Sequence, residues 1–541
     1  MSVRASRPRH LLTTVGALTL IISLAPLPAA AVPEGWTPPA RIPGTSGVFN
    51  HESATAPDGT DADVWVAQNA SDEIVVRGRV RLPGTESWRK VDPYLTDAAQ
   101  DIKLVGDRSG DFWVTWVRYN PNTGIPQVIV ARINSERAAM TTPQTIFDGA
   151  DYGHQLPLVA VSDRGTVFVA ATAQPKVSSN PPRYRAEVGV KAPGAPWRTR
   201  FLSPADDFAV ARSLAVSPAG HAVVAFRQGY ETAASRIRAA TRPAGSSTWM
   251  VNNVSAAGDG QTVKAAIGPE GTAAVTWNAP ASGQDIVRLS YRDVTTDDPW
   301  ISTDLVTGPG LHQVEQPVVD EDGYITTFWW DGSIWARQVQ DGVLFTPEKV
   351  SPDGIRSDVR DVVMGNQGLV GLLYQSYNGS IQNQGLRFRW VDHGAAYAEQ
   401  VLTLSSDGEA NTVQLGLDAA DRANVVWAAG VSPVYELRSM GNPPGSPVVV
   451  TAPHFGEPVT RATMTGRARV GAKLTCSAGY AVEAKETWWR WYRNGDVIRG
   501  EVGRSYTTRK ADRGKRVRCA FIGIGLDETL TTLKSRSRLI R

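Results

Sequence analysis

The sequence predicts an all-β chain: a ring of repeated four-stranded units followed by a separate small β-sandwich. Three observations predict it. The first is a recurring spelling, shown by "PEGTAAVTW" at 269–277, in which a turn glycine stands six residues before an aromatic. Gly59, Gly110, Gly220, Gly271, Gly323 and Gly368 are followed at that offset by Trp65, Trp116, Phe226, Trp277, Trp329 and Tyr374. Gly165 has Ala171 in the aromatic slot, and in the last copy Asp421 replaces glycine ahead of Trp427. Asp tolerates positive φ better than most residues, so this exchange suits a left-handed turn. The second is the period. Successive turns are 51, 55, 55, 51, 52, 45 and 53 residues apart, the mark of a repeat architecture. The third is a pair of cysteines, Cys476 and Cys519, confined to a basic C-terminal stretch.

Each unit reads as strands in order. A short apolar run such as "LAVSPAG" (214–220) precedes the turn, and an alternating run such as "HAVVAF" follows it, which is a β-hairpin. A third strand comes next, as in "RIRAATRPAG" (236–245). A Pro/Gly turn then leads to a fourth strand that often opens on Trp, as at Trp88, Trp197, Trp249 and Trp300. No helical periodicity of any length occurs after the first thirty residues. Four antiparallel strands per unit, repeated in a ring, is a β-propeller. Eight blades are counted; seven is the alternative if 369–405 or 431–453 does not make a full blade. The segment "GWTPPARI" (35–42) reads as a fourth strand lacking its first three, so it is expected to pair with the strand near 434–440 and close the ring. The aromatic-slot tryptophans are expected to pack blade on blade.

On these residues, 36–453 resembles the secreted bacterial β-propellers related to sialidase-like and WD-repeat-like groups. The resemblance implies the fold and leaves the activity open, because propellers host many. The tail carries "WYRNG" at 491–495 and "DRG" at 512–514, with a Trp about fifteen residues after the first Cys. It resembles bacterial Ig-like modules, although Val517 stands where antibody domains carry a corner tyrosine. An even cysteine pair in an exported chain favours a disulfide between Cys476 and Cys519.

The expected domains are a signal peptide at 1–31, a propeller at 32–453 and an Ig-like sandwich at 454–541. The start has Arg4, Arg7 and Arg9, an apolar stretch and Ala29-Ala30-Ala31, which reads as a cleaved export signal. The protein is therefore expected to be secreted, either free or associated with the cell surface, as a monomer without a stable transmembrane span. Its formal net charge of +3 hides an asymmetry. Residues 456–541 hold 19 Lys and Arg against 8 Asp and Glu, whereas 32–455 hold 34 against 45. An acidic ring carries a basic tail. Arg513, Lys515, Arg516 and Arg518 are the candidates for holding an anionic cell-wall polymer; the same face could instead dock on the chain's own ring. Nucleic acid is not an expected partner of an exported chain.

Chemistry is sparse. Seven scattered histidines and the lack of an H-E-x-x-H motif argue against a metal site, and no cofactor is expected. The acidic turn "DEDG" (320–323) could hold Ca²⁺, but such a stretch also makes an ordinary Asx turn. No G-x-S-x-G elbow is present, and the nearest match to a sialidase Asp box, "VSDRGTVF" (161–168), has the wrong spacing. Position in the blade gives more. With the glycine turns on the lower face, the upper face is built from the start of each first strand and the end of each second. Seven residues before the turns stand Glu52, Lys103, Leu158, Ser213, Lys264, Gln316, Asp361 and Gln414. The candidate ligand contacts are Gln68, Lys103, Arg118, Tyr119, Arg227, Tyr230, Lys264, Gln316, Trp330 and Tyr377. Amides, charges and aromatic faces suit a glycan or a protein loop, and equally they could cap backbone at the rim. The leading expectation is an extracellular binding protein; the alternative is a glycan hydrolase or lyase using Glu52, Asp331 or Asp361.

Overall fold

The computed structural model describes residues 36–441 and 463–541, apart from short loop stretches within those limits. The signal-peptide reading of 1–31 lies outside the described residues. From 50 to 441 the chain forms eight antiparallel sheets, each built from one repeat: 50–95, 100–145, 152–201, 209–253, 263–308, 313–349, 356–401 and 411–441. We number them blades 1 to 8. The innermost strand of each blade touches that of the next, and Asn411–Leu417 of blade 8 touches Asn50–Thr55 of blade 1. The sheets close into a ring, the arrangement of a β-propeller, with eight blades among the described residues.

The repeat spelling accounts for this directly. The turn glycines that the structure describes have positive φ, from 72° at Gly165 to 98° at Gly271, and Asp421 adopts 58° in the same role. A side chain on Gly59 would press on Arg422 and Asp418 of blade 8, and one on Gly110 would press on Asp58 of blade 1. The lower-face turns therefore nest one against the next. The aromatic slot works as the packing residue. Trp65 is buried among Val426, Ala428 and Leu437 of blade 8, Trp277 among Val223, Ala225 and Ile237 of blade 4, and Trp427 among Leu373 and Phe388 of blade 7. Each leans on the blade before it. Burying side chains of this size is worth roughly 1.5–3 kcal/mol apiece, so the ring is held by one contact repeated many times. Where Ala171 leaves the slot small, Phe147 of blade 2 joins the same cluster and stacks on His154, with centroids 4.8 Å apart.

The seam closes with the N-terminal segment. Ala40–Arg41 pairs antiparallel with Val434–Gly441, Ala40 opposite Ser439 and Arg41 opposite Arg438. Thr37 and Ile42 extend the ladder, their N–H groups donating to Gly441 O at 2.8 Å and Leu437 O at 2.9 Å. The Trp36 indole donates to Gln400 of blade 7 at 2.7 Å. The 369–405 stretch makes a full blade, with Val370–Tyr377 and Gln384–Asp392 at its centre.

The tail consists of two antiparallel sheets, one of three strands and one of five. Cys476 on Lys473–Ser477 bridges to Cys519 on Arg516–Gly525 with Cα atoms 6.1 Å apart, linking one sheet to the other. Trp491 and Tyr506 pack beside this disulfide in a single core. Buried Asp512 accepts from Tyr506 Oη at 2.6 Å, Arg493 Nε at 2.5 Å and the Arg509 N–H at 2.6 Å. Burial pulls the Asp512 pKa up, but these three donors outweigh it and hold the carboxyl below its ordinary value. No helix among the described residues is long and apolar enough to cross a membrane.

Candidate functional site at the ring axis

Inner strands leave one edge unpaired toward the axis, and in three blades the polar position seven residues before the turn serves that edge. Ser213 Oγ of blade 4 accepts from the Ala265 N–H of blade 5 at 3.0 Å. Asp361 of blade 7 accepts from Leu415 N–H of blade 8 at 2.8 Å, and Gln414 of blade 8 accepts from Ser53 N–H of blade 1 at 2.6 Å. This is one bond made three times between equivalent residues. Gln316 donates to Ala265 O, and Asn278 ties blade 5 to His312 and Val314 of blade 6. Much of the polar ring therefore satisfies backbone that would otherwise be stranded.

Above this belt the inner strands are kinked. Register shifts occur between Gln100 and Lys103, Gln155 and Leu158, Ala211 and Ser213, Val359 and Asp361, and Asn411 and Val413. Asp101, Leu156 and Thr412, all nine residues before their turns, have φ of 51°, 55° and 44°. Bulges re-aim the neighbouring side chains, and positive φ at a non-glycine residue stores strain.

The charges that converge here come from five blades. Glu52 takes the Lys103 ammonium at 2.8 Å. Burial raises the Glu52 pKa, and nearby Asp361 adds to that, while Lys103 and Gln414 oppose it. Asp361 is also raised by burial, although two backbone N–H groups and the Lys264 and Lys103 ammonium groups work against the shift. Glu315 is pushed up to about 7, first by burial, with Lys264 and Arg360 pulling down and Asp358 and Asp361 pushing up. Among the described residues the carboxyl of Glu315 and the ammonium of Lys264 have no hydrogen bond or ion pair. Arg360, by contrast, donates through Nε to Gln375 Oε1 at 2.9 Å.

Of the expected acids, Glu52 and Asp361 come together. Asp331 does not join them: it caps an Asx turn to Ser333 N–H at 3.1 Å on the rim of blade 6. Lys103 and Lys264 reach the mouth, and Gln316 is spent between blades. On the rim, Gln68 is exposed, Tyr119 is 38% exposed, and Arg118 meets Gln127 at 3.3 Å. Arg227 lies beside Arg212, and Arg356 sits over the Trp330 ring at 5.2 Å. Tyr377 ends its strand, and Tyr230 lies outside the described residues. The sequence reading missed Glu315, which stands one residue off the position it singled out. The acidic turn at 320–323 is an Asx turn, Asp320 Oδ1 accepting from Asp322 and Tyr324 N–H at 2.9 Å each. Among the described residues no group of three or more His, Cys, Asp or Glu is placed to hold a metal.

The tail candidates divide. Arg513 and Lys515 are exposed. Arg518 donates to Tyr324 Oη of blade 6 at 2.9 Å, Arg536 pairs with Glu321, and Arg516 lines a cavity of about 630 Å³ with Glu270 and Asp322. Part of the basic face thus lies on the ring's own acidic turn.

No protein-family model matches the chain, and no curated protein sequence matches it. Solved structures similar to it include the Dos1 propeller, at 9% identity over 73% of this chain and 95% of that one with a TM-score of 0.44. The polysaccharide lyase Uly1 is similar at 11% identity over 65% and 94%, with a TM-score of 0.41. The β-propeller domain of the Trilobed protease from Pyrococcus furiosus is similar at 11% over 67% and 97%, with a TM-score of 0.39. At these scores the likeness carries nothing about activity.

Proposed function

We propose that this is an exported glycan-binding protein whose ligand sits at the upper mouth of the ring axis, with the C-terminal Ig-like module as an adhesive tail. One observation carries the reading. Most polar groups of the inner belt are used up on backbone or on one another, whereas the Lys264 ammonium and the Glu315 carboxyl are half-buried, lie in each other's field and make no hydrogen bond among the described residues. Leaving such groups half-desolvated without hydrogen bonds is costly, and a hydroxyl-rich ligand would offset that cost by accepting from the ammonium and donating to the carboxyl. Tyr119 on the rim supplies an aromatic face for a sugar ring. The Cys476–Cys519 bridge and the export-type start support an extracytoplasmic setting.

A second reading has its own support. A carboxyl that titrates near 7 is suited to general acid catalysis, which favours a glycan-active enzyme with Glu315 as the acid. The test is a glycan-array screen on the mature chain, repeated with Lys264→Ala and Glu315→Gln. Loss of binding in both variants, with no product formed by the parent, supports a binder. Product formation that Glu315→Gln abolishes supports the enzyme. Unchanged binding in both variants removes the axis mouth as the site.

A further inference from the structure

A second concave site lies between the outer parts of blades 3 and 4. It encloses about 400 Å³ and is lined by Arg164, Arg198, Arg200 and Arg242 over an apolar floor, with no Asp or Glu among its lining residues. The strand register shows how it forms. Arg198 and Arg200 lie opposite Val190 and Val188, and residues directly opposite one another share a face of the sheet. Val188 and Val190 pack against Ala222, Val224 and Phe226 of blade 4. Both arginines therefore project over the groove between the blades. From the other side, Arg242 of blade 4 reaches across to place its guanidinium 5.1 Å above the Phe168 ring of blade 3. Trp249 meets the same ring edge-on at 6.4 Å. Arg164, from the lower-face turn of blade 3, completes the set.

No local acid balances this charge. Asp163, beside Arg164, is taken by Arg108 at 3.1 Å. Among the described residues Arg164, Arg198 and Arg200 form no ion pair and no side-chain hydrogen bond. Although the surrounding ring carries 45 acidic residues against 34 basic ones, none of those acids lines the groove, so its arginines repel one another at close range.

We propose that this groove binds an acidic sugar residue, one bearing a carboxylate or a sulfate. Guanidinium forks match such planar or tripodal oxyanions in a bidentate way, which an ammonium cannot do. Exposed Pro196 offers an apolar surface to the C–H face of a sugar ring, while Ser247 and Thr199 stand ready for its hydroxyls. The volume falls within the roughly 300–1,000 Å³ typical of small-ligand sites. The groove belongs to blades 3 and 4 and to outer strands, so it does not depend on the axis site.

The experiment is calorimetric titration of the full mature chain with four probes. These are trigalacturonate for carboxylate, a heparin-derived tetrasaccharide for sulfate, neutral maltotetraose, and a glycerol-phosphate oligomer. At least one acidic sugar should bind saturably and maltotetraose should not. Binding should weaken about tenfold in Arg198→Ala/Arg200→Ala, whose side chains are exposed, and should also weaken at high salt. Arg242→Lys, which keeps the charge but loses the fork, should weaken it as well, and Lys90→Ala, which removes an exposed charge from blade 1, should leave it unchanged. Three results would overturn the assignment: no saturable binding of either acidic sugar, equal affinity in the arginine variants, or tighter binding of the glycerol-phosphate oligomer than of both acidic sugars.

Discussion

The ring and the tail reach a single folded state by opposite means. The ring has no cysteine and repeats one modest contact, the slot residue of a blade, aromatic except for Ala171, on the blade before it, and adds a strand pairing at the seam. The tail has one core, and it concentrates its order in a disulfide and in the bonds that meet at Asp512. The difference follows from size. A small domain buries too little apolar surface to stand comfortably alone and gains from a covalent staple. A ring of repeats buries enough, and its weak point is the unpaired edge where the chain begins and ends.

The largest expected effect is at that edge. Deleting residues 32–45 removes Trp36 and Ile42 from the core, a loss of roughly 3–6 kcal/mol before the exposed strand edge is counted. The truncated chain should aggregate or unfold non-cooperatively in calorimetry; a melt like the parent's would show that the seam does not hold the ring. Second, Cys476→Ser/Cys519→Ser should cost the tail about 3–4 kcal/mol for the 43-residue separation it spans. In a scan that resolves two transitions, only the tail's should move. A shift of the ring's transition instead would break the contrast between the two regions.

Third, the ring contains a pH-dependent penalty. Asp63 is fully buried, bonded by Ser53, and pushed up to about 7 by burial, with Asp61 adding to the shift. An aspartate ordinarily titrates at 3.8, so between about 4 and about 7 the unfolded chain gives up this proton while the folded chain keeps it. Stability should fall as pH rises through that window and level off above it. Asp63→Asn should stabilise the ring at pH 8 by up to about 4 kcal/mol, with the gain vanishing below pH 4. Denaturant midpoints at several pH values check this, and a variant no more stable than the parent at pH 8 contradicts it. The smallest effect is at the contact between the regions. Arg536 and Glu321 are largely surface groups, so Glu321→Lys should cost under about 1 kcal/mol while loosening the tail toward protease.

Much of the fold was legible because a repeat states its rule many times. Glycine at positive φ, an aromatic six residues on and Trp at the start of outer strands each recur, and the orphan strand at 35–42 could be matched to its partner for the same reason. The site was only partly legible. Lys103, Lys264, Glu52 and Asp361 followed from counting back from the turns. Glu315 did not, because bulges shift inner-strand register near the mouth and a one-residue shift exchanges the residues that face it. Counting also could not distinguish Gln414 and Ser213, which cap a neighbour's backbone, from Lys264, which caps nothing. The arginine groove was invisible for another reason: its arginines lie up to 78 positions apart and meet only through strand register and the packing of blade on blade.

The central claim is that the axis mouth is where ligand binds. Hydrogen–deuterium exchange on the purified chain, with and without an oligosaccharide identified by the array, tests it most directly. The account predicts added protection at inner-strand starts near 50–53, 100–104, 262–266, 313–316 and 358–362, absent in Lys264→Ala/Glu315→Gln. Protection confined to the tail, to the lower-face turns or to the outer strands would contradict it.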